Sequence, residues 1–172
     1  MDVPYCSSDF WAGTGRSVGT GYYFHGKHIF RDVMNSLSHH FNLFQATEFV
    51  LSGSSAGAFG VGYNCDDVAD WLRGNNPAMK IMCLPDSPDF IPWWVHTEDC
   101  KSRQENYETD VEMFWGREPD TSCKIFMENH ETEFSAEERT CGIMSQYLSH
   151  VTTPIFMAVS LQVKTLTDCE CR

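Results

Sequence analysis

Apolar positions along this chain fall into short runs with two different periods. Residues 22–40 carry Phe24, Ile29, Val33 and Leu37 at helical spacing, which predicts a helix there. TEFVLSG (47–53) predicts a short buried strand. From Ala56 to Leu72, small residues give way to Val61, Val68, Ala69 and Leu72, a second helical pattern. Gly74-Asn75-Asn76-Pro77 then stops it. MKIMCLPDS (79–87) predicts a second strand that ends in a turn, and TTPIFMAVSL (152–161) a third. Residues 1–21 hold a proline, four glycines and many hydroxyls and read as a loop; residues 88–145 are mixed, acidic and aromatic. Helix and strand alternate, so the expected class is α/β, with a mostly parallel sheet, flanking helices and an irregular cap.

At 172 residues the chain is long enough for one domain with a real core. With 24 acidic and 12 basic residues, its net charge is −12. Such a surface repels phosphate backbones, and no basic patch with interleaved aromatics is visible, so nucleic acid is not an expected partner. No apolar run approaches the roughly 20 residues needed to cross a bilayer. Eight cysteines are many for a cytosolic protein; no C-x-x-C pair suggests zinc, and an oxidising compartment fits better. The pairing is open, except that Cys169 and Cys171 sit too close for a routine mutual bond. Met1-Asp-Val-Pro-Tyr-Cys is no signal peptide, and the conflict with the cysteines suggests a piece of something longer. No metal or cofactor is expected.

FVLSGSSAGAFGV (49–61) carries the chemistry. Gly53, Ser54, Ser55, Ala56 and Gly57 satisfy G-x-S-x-G between a strand and a helix. That context places Ser55 at the apex of a sharp turn as a nucleophile. The Ala56 N–H and the positive end of the following helix then face a developing oxyanion. A serine hydroxyl needs a histidine base, and an acid to orient that histidine.

PYCSSDFWAG (4–13), LSGSSAGAFGV (51–61), LPDS (84–87), HTEDC (96–100) and TPIF (153–156) together resemble the Notum and pectin acetylesterase family, the animal Notum branch more than the plant one. The resemblance runs from about residue 3 to residue 166. It implies an incomplete α/β-hydrolase domain over 1–172, with the elbow at 51–60 and a cap-like insertion at about 88–145. It implies a secreted serine carboxylesterase of the kind that removes palmitoleate from Wnt proteins, so an acylated, Wnt-like protein would be the substrate. Ser55 matches the family nucleophile, Ala56 one oxyanion donor, and Phe90 a pocket phenylalanine.

The chain departs from that pattern at several places. The family acid follows the strand that here reads TPIFMAVSL, where this chain has Gln162, Val163 and Lys164; Asp168 comes late, and no histidine follows His150. The family's Gly-Gly-Trp-type oxyanion loop would lie before Met1. Two pocket phenylalanines are replaced by Gly142 and Ile143, and a cysteine by Thr153. The expectation is therefore weak or absent turnover for these 172 residues. The alternative is a non-catalytic relative that binds a lipid or glycan.

The remaining candidates read as structural. His25, His28, His39 and His40 are expected to face solvent or cap a helix, and His96 to orient a loop. His130, near Glu128, Glu131 and Glu133, is expected on an exposed acidic face. Asp86 is read as a turn-former or as a group that supports the site from behind, and Phe90, Trp93 and Trp94 as cap core or pocket wall. Glu105, Glu108, Asp110 and Glu112 are read as a solvated helix face.

Overall fold

The computed structural model describes residues 1–15, 21–87, 115–130, 141 and 150–158. Helix α1 spans Gly26–His40, strand β1 Glu48–Ser54, helix α2 Ala56–Asn75, strand β2 Lys80–Asp86 and helix α3 Thr121–Asn129. β1 and β2 pair in parallel, with Glu48 opposite Lys80 and Ser54 opposite Asp86. The segment 154–158 lies along the other edge of β2. There the Cys83 N–H donates to the Pro154 carbonyl (2.9 Å), Phe156 N–H to Cys83 (2.9 Å) and Ala158 N–H to Pro85 (3.2 Å). β2 thus has partners on both edges, but the expected third strand is seen only as two isolated parallel bridges, Cys83 with Ile155 and Asp86 with Ala158, and not as a regular strand; residues 159–161 lie outside the described residues.

The helices form where the apolar spacing is sustained. On α2, Val61, Cys65, Val68, Ala69 and Leu72 recur at helical intervals and are all buried. The lower half of this stripe joins Met34, Leu43, Met79 and Ile81 in the main cluster. The upper half meets Cys83, Leu51 and Ile155. A disulfide between Cys65 and Cys83 ties α2 to β2 through this second cluster, and another joins Cys123 to Cys141. α2 runs past Leu72 to Asn75. It ends where Asn76 turns out of helical geometry and its side-chain amide donates to the carbonyls of Phe44 and Ala46.

Two expectations need correction. The inner face of α1 is not the Phe24–Ile29–Val33–Leu37 stripe. Lys27 and Met34 are buried, with Phe30 and Leu37 packed against the core, while Ile29 is exposed. The lysine turns inward because an acceptor pair awaits it on α2, and that sets the helix rotation. β1, in turn, is not buried on both faces. Its exposure alternates, and Val50, Ser52 and Ser54 face out. α2 covers one face of the sheet; among the described residues nothing of comparable size covers the other.

The N-terminal loop is anchored by a carboxylate that sequence reading passed over. Asp9 is fully buried. It accepts hydrogen bonds from Ser7 Oγ, Trp11 N–H (3.1 Å) and Gly26 N–H (2.6 Å). Gly26 opens α1, so the anion sits at the positive end of that helix. A Cβ on Gly26 would fall 2.1 Å from the Asp9 carboxylate, so only glycine allows the approach.

A second buried carboxylate network ties the far end of the sheet. Asp66 on α2 accepts the N–H groups of Thr152 and Thr153, both at 3.0 Å. Burial alone would raise its pKa; these hydrogen bonds outweigh burial and hold it below the usual carboxylate value. Asp120 caps α3 through Ser122 N–H and accepts Asp66 N–H (2.9 Å); burial pushes its pKa up.

Candidate active site

The candidate site lies at the carboxyl end of β1, where the chain turns within one residue into α2. Ser55 occupies that turn at φ 52°, ψ −116°, a conformation that costs an L-residue free energy. Two features hold it there. The Ser55 N–H donates to the Asp86 carbonyl at 3.0 Å, pinning the turn to the end of β2. The Ser55 carbonyl accepts from Ala58 and Phe59, which starts the helix.

The geometry has a chemical consequence. A serine preceding a helix ordinarily turns its hydroxyl inward to cap the first turn. In this conformation Ser55 makes no side-chain cap, and its hydroxyl has no hydrogen-bond partner among the described residues. The residue is exposed. Ala56 is the first residue of α2, and its N–H is one of the four that a helix cannot satisfy internally. An exposed hydroxyl therefore stands beside an open donor at a helix N-terminus.

The two glycines of G-x-S-x-G differ in role. A Cβ on Gly53 would sit 2.3 Å from the Gly57 carbonyl oxygen and 2.5 Å from its carbon. Strand and helix cross here backbone to backbone, which only glycine at 53 permits. A Cβ on Gly57 would meet nothing within 4 Å.

Aromatic rings line the first turn of α2. Phe10 stacks on Phe59 with centroids 4.9 Å apart and meets Trp115 edge-on at 5.4 Å. Phe24 also contacts Trp115. Sequence reading placed an aromatic wall at Phe90, Trp93 and Trp94, which lie outside the described residues. Of the rings seen here, Phe10 comes from PYCSSDFWAG, whose positive φ at Ser8, Phe10 and Trp11 is not legible in the letters, while Phe24, Phe59 and Trp115 come from elsewhere in the chain.

None of the described histidines is hydrogen-bonded to Ser55. His25 and His28 are exposed around the start of α1, and His28 Nε2 lies 3.2 Å from the Thr14 carbonyl. His39 and His40 are exposed in the last turn of α1. Glu131 and Glu133 lie outside the described residues, and His130 is half-buried. It stacks on Phe126 at 4.2 Å, with Nδ1 on the Phe126 carbonyl, because it terminates α3. His150 is buried, with Nδ1 2.8 Å from Ser122 Oγ. Burial lowers its pKa to about 4, against a weaker opposing pull from Asp66. Asp86 serves the turn through its carbonyl, and its carboxylate accepts from Ser87 Oγ (3.2 Å). His96, Gly142, Ile143, Gln162–Lys164 and Asp168 lie outside the described residues.

A strand, a one-residue strained turn bearing an exposed serine, and a helix packed on a parallel sheet define the α/β-hydrolase class of fold. Two crystal structures of the Drosophila Wnt deacylase Notum share it. They superpose with TM-scores of 0.70 and 0.72 at 24% identity, over 90% of this chain and 43% and 44% of theirs. The pectinacetylesterase family profile matches residues 1–165, and the chain belongs to that family. Within it, the palmitoleoyl-protein carboxylesterase NOTUM of Schmidtea mediterranea is 41% identical over 167 residues, covering 92% of this chain and 30% of the relative. The Xenopus laevis notum2 enzyme is 45% identical over 90 residues and the human NOTUM enzyme 40% over 91, each covering 52% of this chain and 18% of the relative. The chain thus spans less than a third of the length of these curated relatives.

Proposed function

We propose that Ser55 is the nucleophile position of a Notum-like carboxylesterase site, with the Ala56 N–H as one oxyanion donor. The observation that carries this reading is the Ser55 backbone: φ 52°, ψ −116°, pinned to Asp86 and leaving the hydroxyl exposed and uncapped. Nothing in folding rewards that strain, whereas mounting a nucleophile requires it. The substrate class follows from the relatives: a carboxylic ester, in the form of a fatty-acylated, Wnt-like protein, met outside the cell. The two disulfides are consistent with an extracellular setting, and no described helix is long and apolar enough to cross a membrane. Phe90 belongs to the acyl pocket in this reading.

In this reading the hydroxyl is not activated by any of the described residues. No acid or base stands in the family's order, and no described histidine reaches Ser55. Without its triad partners a serine hydrolase retains only the small rate enhancement of oxyanion hole and binding. Purified chain assayed on short-chain nitrophenyl esters is expected to hydrolyse them no faster than its Ser55→Ala variant. Hydrolysis abolished by Ser55→Ala would refute the inactivity and uphold the nucleophile. The second reading, a binding relative, rests on the in-chain replacements at Gly142, Ile143 and Gln162–Lys164. It expects saturable binding of a palmitoleoylated peptide without turnover.

A further inference from the structure

A cavity of about 320 Å³ opens between α1, α2 and the start of α3. On α2 its lining runs from Asn64 to Trp71, nine to sixteen positions beyond Ser55, so it lies roughly 14–24 Å along the helix from the elbow. Its size falls at the lower end of small-ligand pockets.

The floor carries a charge. Lys27 is 2% exposed, and its Nζ donates to the Tyr63 carbonyl (2.9 Å) and to Asp67 Oδ2 (3.1 Å). An ammonium has three donors. The third has no acceptor among the described residues, and Lys27 lines the cavity. Asp67 is already engaged twice, by Lys27 and by the Thr121 N–H. Arg31, half exposed and paired with Glu118, lines the cavity as well. Phe30, Met34 and Trp71 supply an apolar wall. Among the lining residues, Lys27 and Arg31 are cations and Asp67 is a carboxylate; Glu118 pairs with Arg31 from outside the lining, so it is the third donor of Lys27 that is left without an acceptor among the described residues. A buried ammonium with a spare donor is costly unless something accepts from it.

We infer that this cavity binds a small organic carboxylate with an apolar tail, its anion on Lys27 and its tail along Phe30 and Trp71. The site is separate from Ser55 and does not rest on the esterase reading. Hexanoate is the probe. A ligand of its size is expected to bind with a dissociation constant of about 1 mM.

Binding is measured by calorimetry and saturation-transfer NMR on the full 172-residue chain. Hexanoate should bind, while acetate, hexanol and hexylamine should bind at least roughly tenfold more weakly, lacking the tail or the anion. Lys27→Met should abolish binding. Should that variant fail to fold, two substitutions at exposed positions decide the matter. Asn35→Trp should block the cavity, and Arg31→Glu should weaken hexanoate roughly three- to tenfold. Ser55→Ala should leave binding unchanged. The inference is overturned by hexylamine binding as well as hexanoate, by wild-type affinity in Asn35→Trp, or by no saturable binding up to about 20 mM.

Discussion

The elbow makes a sharp demand on Gly53 and none of the same kind on Gly57, although the sequence pattern treats them alike. Consider Gly53→Ala. The added carbon would lie 2.3 Å from the Gly57 carbonyl oxygen and 2.9 Å from its Cα, both backbone atoms. Relief requires strand and helix to separate by about 1 Å, which disturbs the turn held by Ser55 N–H and Asp86. Overpacking of this kind costs about 1–3 kcal/mol, and a clash against backbone belongs at the top of that range. The unfolded chain gives back about 0.5–1 kcal/mol because alanine is less free than glycine. The net loss is about 2 kcal/mol. Gly57→Ala keeps the same unfolded-state gain and meets no atom within 4 Å, so it should be neutral or stabilising by about 0.5 kcal/mol. The two variants then differ by about 2–2.5 kcal/mol, or about 1 M in urea midpoint at a slope of about 2 kcal/mol per M. Urea titration followed by circular dichroism reads this directly. Equal midpoints for the two variants would show that strand and helix do not cross as described.

Ser55→Gly should raise stability by about 1 kcal/mol by relieving the positive-φ strain, whereas Ser55→Ala, which removes a hydroxyl with no described partner, should change the urea midpoint little. Asp9→Ala strands two buried N–H groups and should cost about 3 kcal/mol, measured the same way. Removing the Cys65–Cys83 bond by replacing both cysteines with serine frees a loop with a sequence separation of 18, and should cost about 3 kcal/mol in thermal or urea unfolding. His150 makes stability depend on pH. Its folded pKa of about 4 lies below the ordinary 6.5, so the unfolded chain binds the proton more readily. The native advantage is complete above about pH 6.5 and is lost progressively as pH falls toward 4, by up to roughly 3 kcal/mol. Asp120, raised by burial, works in the opposite sense. A pH series of urea midpoints should flatten between 6.5 and 4 in His150→Asn.

What the sequence disclosed and what it hid follow physical lines. The α2 stripe and the strand–serine–helix order depend on local spacing, so Val61, Val68, Ala69, Leu72 and Ser55 were legible. The rotation of α1 was not, because a buried lysine replaced the apolar residue that a periodicity argument expects. Its partners on α2, the Tyr63 carbonyl and Asp67, lie 36 and 40 positions away. Asp9 was hidden for the same reason: a carboxylate in a hydroxyl-rich loop reads as solvated until Gly26 N–H is seen to meet it. The disulfides paired cysteines that counting alone left open. Half-exposure of β1 could not be inferred from TEFVLSG, since burial depends on which face another element covers. At the site, the difference between Gly53 and Gly57 is a matter of crossing backbones, which G-x-S-x-G does not encode.

The central claim is that Ser55 is mounted as a nucleophile yet not activated in these 172 residues. Labelling of folded protein with a fluorophosphonate serine-hydrolase probe, beside Ser55→Ala, tests it most directly. We expect no Ser55-dependent labelling at neutral pH from the well-folded chain. Labelling that disappears in Ser55→Ala would contradict this and show that a base reaches Ser55 from outside the described residues.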